Sequence, residues 1–193
     1  MIVAVAMLAA APAPSGAAQR IALATVQPPR ALAEALAQFD RQFAASFARS
    51  GGKAATPVEK KRLARMRAAG RTELSRQLNG DGIPRLVALV ERDYRNNYSA
   101  DELASVAAFW SSPAGAALTR AMQQAAGRGG TLELPAAHRD AITAYLSSAV
   151  GRKEAERSSS LRMAMAQEMT AFLQRAQPRI SASIAAASTA VPK

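Results

Sequence analysis

The sequence predicts an all-α protein, a compact helical bundle of about five to seven helices with a Ser-Pro helix break. Three observations lead there. The chain is Ala-rich, and Ala has the highest intrinsic helix propensity because its side chain has no entropy to lose. Runs of Val, Ile and Thr alternating with polar residues are missing after the N-terminus, so strands have no pattern to build on. Apolar residues instead recur at helical spacing between Pro, Gly and Asn breaks. At 193 residues the chain is long enough for a domain with a substantial core.

Residues 1–18 read as a secretory signal. The apolar run 2–11 has the length of a signal core, Pro12 and Pro14 break it, and Gly16-Ala17-Ala18 offers small residues before Gln19. No Lys or Arg precedes the run, so an uncleaved anchor and a buried N-terminal helix stay open beside a cleaved signal. A periplasmic or secreted location is expected, with no membrane span left after cleavage. Residues 19–30 end in Gln27-Pro28-Pro29-Arg30 and read as an extended linker. A single helical domain is expected over 31–178, and a flexible tail over 179–193.

The first helix carries Leu32, Leu36, Phe39, Phe43 and Phe47 at spacings of four, three, four and four, which is one face. Ser50-Gly51-Gly52 is expected to stop it. Thr56, Pro57 and Glu59 open the next helix as N-cap, first helical position and capping-box partner. That helix, 57–78, is basic on its polar face: Lys60, Lys61, Arg62, Arg65, Arg67, Arg71 and Arg76. Its apolar face is thin, with Leu63, Met66, Leu74 and Leu78. Asn79-Gly80-Asp81-Gly82 reads as a turn, and Pro84 opens another helix with Leu86, Val87, Val90 and Tyr94 inside.

Ser99 then caps a helix, with Glu102 three residues on. Leu103, Val106, Ala107, Phe109 and Trp110 form its apolar face. Pro113 has no amide hydrogen and pushes Ser112 out of the helical region, so the chain stops and restarts there, with Ser112 as the new N-cap. Gly115 allows a close backbone approach. The next helix ends at Gly127-Arg128-Gly129-Gly130. A shift of 36 residues sets Ala108, Phe109, Trp110, Ser111 and Ser112 on Ala144, Tyr145, Leu146, Ser147 and Ser148, and Gly115 on Gly151. Duplication and chance both account for it. Ala149 replaces Pro113 in the second copy, so an uninterrupted helix is expected there. Met165 and Met169 sit on the last apolar stripe as core filler.

The chemistry is sparse. No cysteine means no disulfide, thiolate metal site or Cys nucleophile. A single histidine, His138, leaves little basis for a metal site or a Ser-His triad. Asp101 and Glu102 suit a helix N-terminus, and Glu154 and Glu156 among Arg152, Lys153 and Arg157 read as a salt-bridged surface. No catalytic residue, metal site or cofactor is expected. The net charge of +11 suits an anionic surface (lipid headgroups, lipopolysaccharide or nucleic acid), although basic residues on solvated helix faces are the plainer account of it.

The stretch 98–115 is the most specific in the chain. Tyr98, then Asp101-Glu102-Leu103, then Phe109-Trp110-Ser111-Ser112-Pro113-Ala114-Gly115, resembles the family known as domain of unknown function 2059, over a core of 83–122. Trp110 stands where that family usually has Tyr, and Ala116-Ala117 where a Lys often follows. The resemblance implies a small, helical protein exported by a Gram-negative bacterium, and no activity. A structural or protein-interaction module using the face of Phe109, Trp110 and Pro113 is the expected role. An anionic-surface binder working through the 57–78 helix is the alternative. A hydrolase built on an unrecognised Ser beside His138 is the third reading.

Overall fold

The structure is a computed structural model that describes residues 14–49, 56–128 and 132–189. It is all-α, with no strand among the described residues. The helices are α1 (Pro14–Val26), α2 (Pro28–Arg49), α3 (Pro57–Gln77), α4 (Ile83–Asn97), α5 (Ala100–Trp110), α6 (Pro113–Arg128), α7 (Arg139–Ser147) and α8 (Ala149–Thr189). A π turn, Leu78–Gly82, joins α3 to α4, and a 3-10 turn, Ala136–His138, leads into α7. The chain divides into two compact units, Met1–Ala24 with Glu91–Arg157, and Thr25–Val90 with Ser158–Lys193. The segment expected as one domain, 31–178, is therefore shared between them.

Both capping boxes form as the sequence predicts. The Thr56 hydroxyl accepts from the Glu59 amide at 3.2 Å, and the Glu59 carboxylate accepts from the Thr56 amide at 2.7 Å. Ser99 and Glu102 repeat the arrangement at the start of α5. Each box satisfies two amides that a helix start leaves without partners.

Four expectations change. Residues 19–30 are not an extended linker: α1 reaches Val26 and α2 begins at Pro28. Ala17, Ala18, Ile21 and Ala22 bury one face of α1, and proline suits the first position of a helix because no bond is lost there. Only Gln27, at φ 47°, interrupts the two helices, and its carbonyl accepts the amides of Arg30 and Ala31. Residues 1–13 of the expected signal, the stop at Ser50-Gly51-Gly52, and Gly129-Gly130 lie outside the described residues.

The tail is the second change. Residues 179–189 continue α8 past Pro178, and Ile184 packs at Gly70, where an added Cβ would fall 2.8 Å from Ile184 Cγ1 and 2.7 Å from Phe39 Cζ. The remaining 190–193 lie outside the described residues. Third, Asn79-Gly80-Asp81-Gly82 does not turn the chain. The Ile83 amide reaches back to the Leu78 carbonyl, a π-type bond, and the helix carries on. Pro84 explains this, because an α-turn there would need an amide hydrogen that Pro84 lacks and would drive its ring into the carbonyl of Gly80. Gly82 lies against Phe172, the largest fully buried side chain among the described residues.

The fourth change is at Ser148. Ala149 does not let the second copy run through. Ser148 is extended, at φ −68° and ψ 161°, and α7 ends where α8 begins. The 36-residue repeat is thus a repeat of structure. The Ser112 hydroxyl donates to the Phe109 carbonyl at 2.7 Å and accepts from the Gly115 amide at 3.1 Å. The Ser148 hydroxyl donates to the Tyr145 carbonyl at 2.6 Å and accepts from the Gly151 amide at 3.0 Å. At both corners a Cβ on the glycine would collide with the same carbonyl oxygen, of Phe109 or of Tyr145. Serine supplies the cap and glycine supplies the room, so proline is dispensable.

Candidate functional site

The two corners meet ring on ring in the first unit. Phe109, Ala114, Leu118, Ile142 and Tyr145 form its core cluster, with Trp110 and Leu134 packed against it. Trp110 meets both Phe109 and Tyr145 edge-on. Phe109, Trp110 and Tyr145 lie in the last turns of α5 and α7, and their side chains turn toward each other.

Glu154, in the second turn of α8, lies at the centre. Its Oε1 accepts from Tyr94 Oη at 2.6 Å and from Trp110 Nε1 at 3.0 Å, and its Oε2 accepts from Tyr145 Oη at 2.6 Å. The surface role expected for Glu154 is therefore replaced by an internal one, while Glu156 is exposed. Three neutral donors from three helices offset the cost of withdrawing a carboxylate from water. The sequence holds one Trp and three Tyr, and all of them belong to this cluster.

The flanking residues extend it. Lys153 bonds both Glu102 oxygens at 2.8 Å and lies over the Tyr98 ring, 4.8 Å from its centroid. Tyr98 stacks on Tyr94 at 4.9 Å. Arg157 donates to Asp93 at 2.5 Å. Thus Lys153, Glu154 and Arg157 present one face of α8 to α4 and α5, the face that helical spacing puts together.

The electrostatics keep these groups in fixed states. Burial, then the Glu154 charge, pushes the Tyr94 phenol well above its ordinary value. Burial and the bond to Glu154 do the same to Tyr145. Tyr98 is pushed up to about 12, first by burial and then by Glu154. The hydrogen bond from Lys153 holds Glu102 below the usual carboxylate range, helped by the Ser99 amide. Burial and the Glu154 charge thus favour the neutral phenols, which donate to that carboxylate.

Each residue of the expected motif now has a place. Tyr98, Leu103 and Phe109 are buried, and Trp110 is half-buried with its indole on Glu154. Glu102 caps α5 and pairs with Lys153; Ser112 and Gly115 form the corner, and Pro113 opens α6 on the exposed side. Sequence reasoning missed Tyr94, Glu154 and Lys153 as partners of this motif, together with the Ser148 corner. The one available sign was the Ser-x-x-Gly pattern common to 112–115 and 148–151.

The seven basic residues of α3 do not form one group. Arg67 and Arg71 pair with Asp40, and Arg76 pairs with Glu73. Asp40 is held below the usual carboxylate range by its bond to Arg67, and Glu73 falls to about 2 through its bond to Arg76. Arg65 is half-buried; Lys60, Lys61 and Arg62 are exposed and enter no ion pair among the described residues. His138 lies in the 3-10 turn, and among the described residues its side chain makes no hydrogen bond to a Ser or a carboxylate. No group of His, Asp and Glu suited to a metal ion occurs among the described residues, and none of their helices is long and apolar enough to cross a membrane.

No curated protein and no solved structure matches the chain. Residues 84–130, which hold Tyr94, Tyr98, Glu102, Trp110 and the first corner, match the model of a family described as an uncharacterized protein conserved in bacteria, DUF2059, the family that the 98–115 motif resembles.

Proposed function

We propose that the chain is a non-enzymatic helical module of the bacterial envelope, periplasmic or secreted, that acts by binding a protein partner. One observation carries the reading. Three polar side chains of its most specific motif are engaged within the fold: Glu102 by Lys153 and Ser99, Trp110 by Glu154, Ser112 by Phe109 and Gly115. A catalytic motif keeps a base or nucleophile open to substrate, whereas these three are held as in a structural clasp. Crosslinking and mass spectrometry on the native envelope fraction test it. Recurrent crosslinks to one partner protein are expected. Intrachain crosslinks alone, or recovery of the chain from the cytoplasm, would overturn it.

A second reading is a binder of anionic surfaces through 57–78. What favours it is the exposed set Lys60, Lys61 and Arg62, which enter no ion pair among the described residues. Co-sedimentation with anionic vesicles at low and high salt tests it; binding indifferent to salt would remove it.

A further inference from the structure

We infer that the free end of the α2–α3 hairpin docks on an anionic phospholipid surface, with Phe47 and Val58 entering the headgroup layer and Lys60, Lys61 and Arg62 holding its phosphates. The inference rests on the second reading above and names the part of the helix that makes the contact.

The direction of the hairpin follows from reach. Asp40 bonds Arg67 and Arg71, and Phe39 lies at Gly70. At about 1.5 Å per residue, these contacts fall roughly 15 Å before the end of α2 and roughly 20 Å after the start of α3. The connection over 50–56 can span at most about 28 Å, whereas parallel helices would need roughly 35 Å. The helices therefore run antiparallel. Counting outward from the contacts sets Phe47 level with Arg62 and carries Val58 beyond the end of α2.

The outer end differs from the rest of the hairpin in two ways. Its apolar side chains are exposed, Phe47 to 38% and Val58 to 74%. Its cations are less compensated: Arg67, Arg71 and Arg76 are in ion pairs, whereas Lys60 and Lys61 enter none among the described residues, and Arg62 has only the charge of Glu59, whose carboxylate also takes the Thr56 cap. Val58, Lys61, Arg62 and Arg65 follow one another at helical spacing on one face. On its own, α3 has no bulky aromatic to enter a headgroup layer, and α2 supplies it. Exposed aromatic and aliphatic groups beside unpaired cations are what an interfacial surface requires, since apolar burial and phosphate attraction then act together.

Co-sedimentation of the full chain with vesicles of mixed phosphatidylglycerol and phosphatidylcholine tests this, against vesicles of phosphatidylcholine alone. Circular dichroism checks that each variant is folded. Lys60→Glu with Lys61→Glu and Arg62→Glu is expected to lower partitioning at least about tenfold. Phe47→Ser with Val58→Ser is expected to lower it severalfold at the same salt. Arg120→Glu, an exposed cation elsewhere in the chain, is expected to leave it unchanged. If charge reversal abolishes binding while the apolar variant binds like the parent, the surface reading stands and insertion of the tip is overturned. Equal binding to neutral vesicles, or none to either, overturns both.

Discussion

The ring of Phe109 lies flat on the ring of Tyr145, with centroids 3.7 Å apart and planes 2° from parallel. The two residues stand 36 apart and lie in the last turns of equivalent helices, α5 and α7. The stack therefore joins two copies of one corner. Each copy is a helix stop, a serine that caps the restart, and a glycine against the carbonyl of the stacked residue.

The glycines are the first place to test this. Gly115→Ala and Gly151→Ala each press a methyl group onto a backbone oxygen, which has no flexible end to move aside. Each substitution should cost about 2–3 kcal/mol. Gly80→Ala meets nothing within 4 Å and should be neutral or stabilising, by up to about 1 kcal/mol. Urea midpoints for the three variants would decide; equal midpoints would mean that the corners relax freely.

Glu154 should matter more than its half-exposed position suggests. Glu154→Ala removes the acceptor of two phenols and an indole, and should destabilise by about 3 kcal/mol. Tyr94→Phe and Tyr145→Phe keep the ring and lose one donor each, so about 1 kcal/mol is expected for each. A double-mutant cycle between Glu154→Gln and Tyr145→Phe should show coupling. Strict additivity would place the phenol elsewhere in solution.

Ala149→Pro should stabilise the protein. Ala149 is the first residue of α8, where proline loses no bond, and Ser148 already has the extended conformation that a following proline demands. A gain of about 0.5–1 kcal/mol is expected from the stiffer unfolded chain, read as a higher melting temperature.

The phenols predict an alkaline limit. All three are raised from the ordinary value of 10.0, so the folded chain keeps protons that the unfolded chain releases. Their contribution is fully present below that value. It is lost as pH climbs through the folded values, beginning with Tyr98 at about 12. Absorbance at the phenolate band should therefore stay flat through the ordinary tyrosine range and rise together with loss of helix. A separate phenolate step in a fully helical protein would contradict the cluster. At the acid side, Glu102 is lowered, so its contribution is present above the usual glutamate range and fades as pH falls below it.

How legible this was depends on how local each cause is. The Thr56 and Ser99 caps are readable because both halves of a capping box lie within four residues. The Ser112-Pro113 break is readable because proline marks it. The Ser148 break has the same hydrogen bonds without the proline, and Ala149 hides it. Glu154 is hidden by its neighbours: beside Arg152 and Lys153 it resembles any surface glutamate, and its partners lie 9, 44 and 60 residues away. Pro28-Pro29 misled because two prolines suggest an extended chain, whereas Pro28 opens a helix whose apolar face finds a place to pack.

The π turn at Leu78–Gly82 has a consequence for chain length. In the second unit, Gly70, Leu74, Leu78, Gly82, Leu86 and Val90 are all buried, at an unbroken interval of four. A regular helix has about 3.6 residues per turn, so such a row would wind away from its neighbours. The wider turn absorbs one residue and holds the row in phase. Deleting one of Asn79, Gly80 or Asp81 would leave a regular helix with the same side inward, except that Pro84 would then meet a carbonyl one turn back. The surplus residue and the proline are linked, and a version of the chain that loses the surplus residue should have to lose the proline as well.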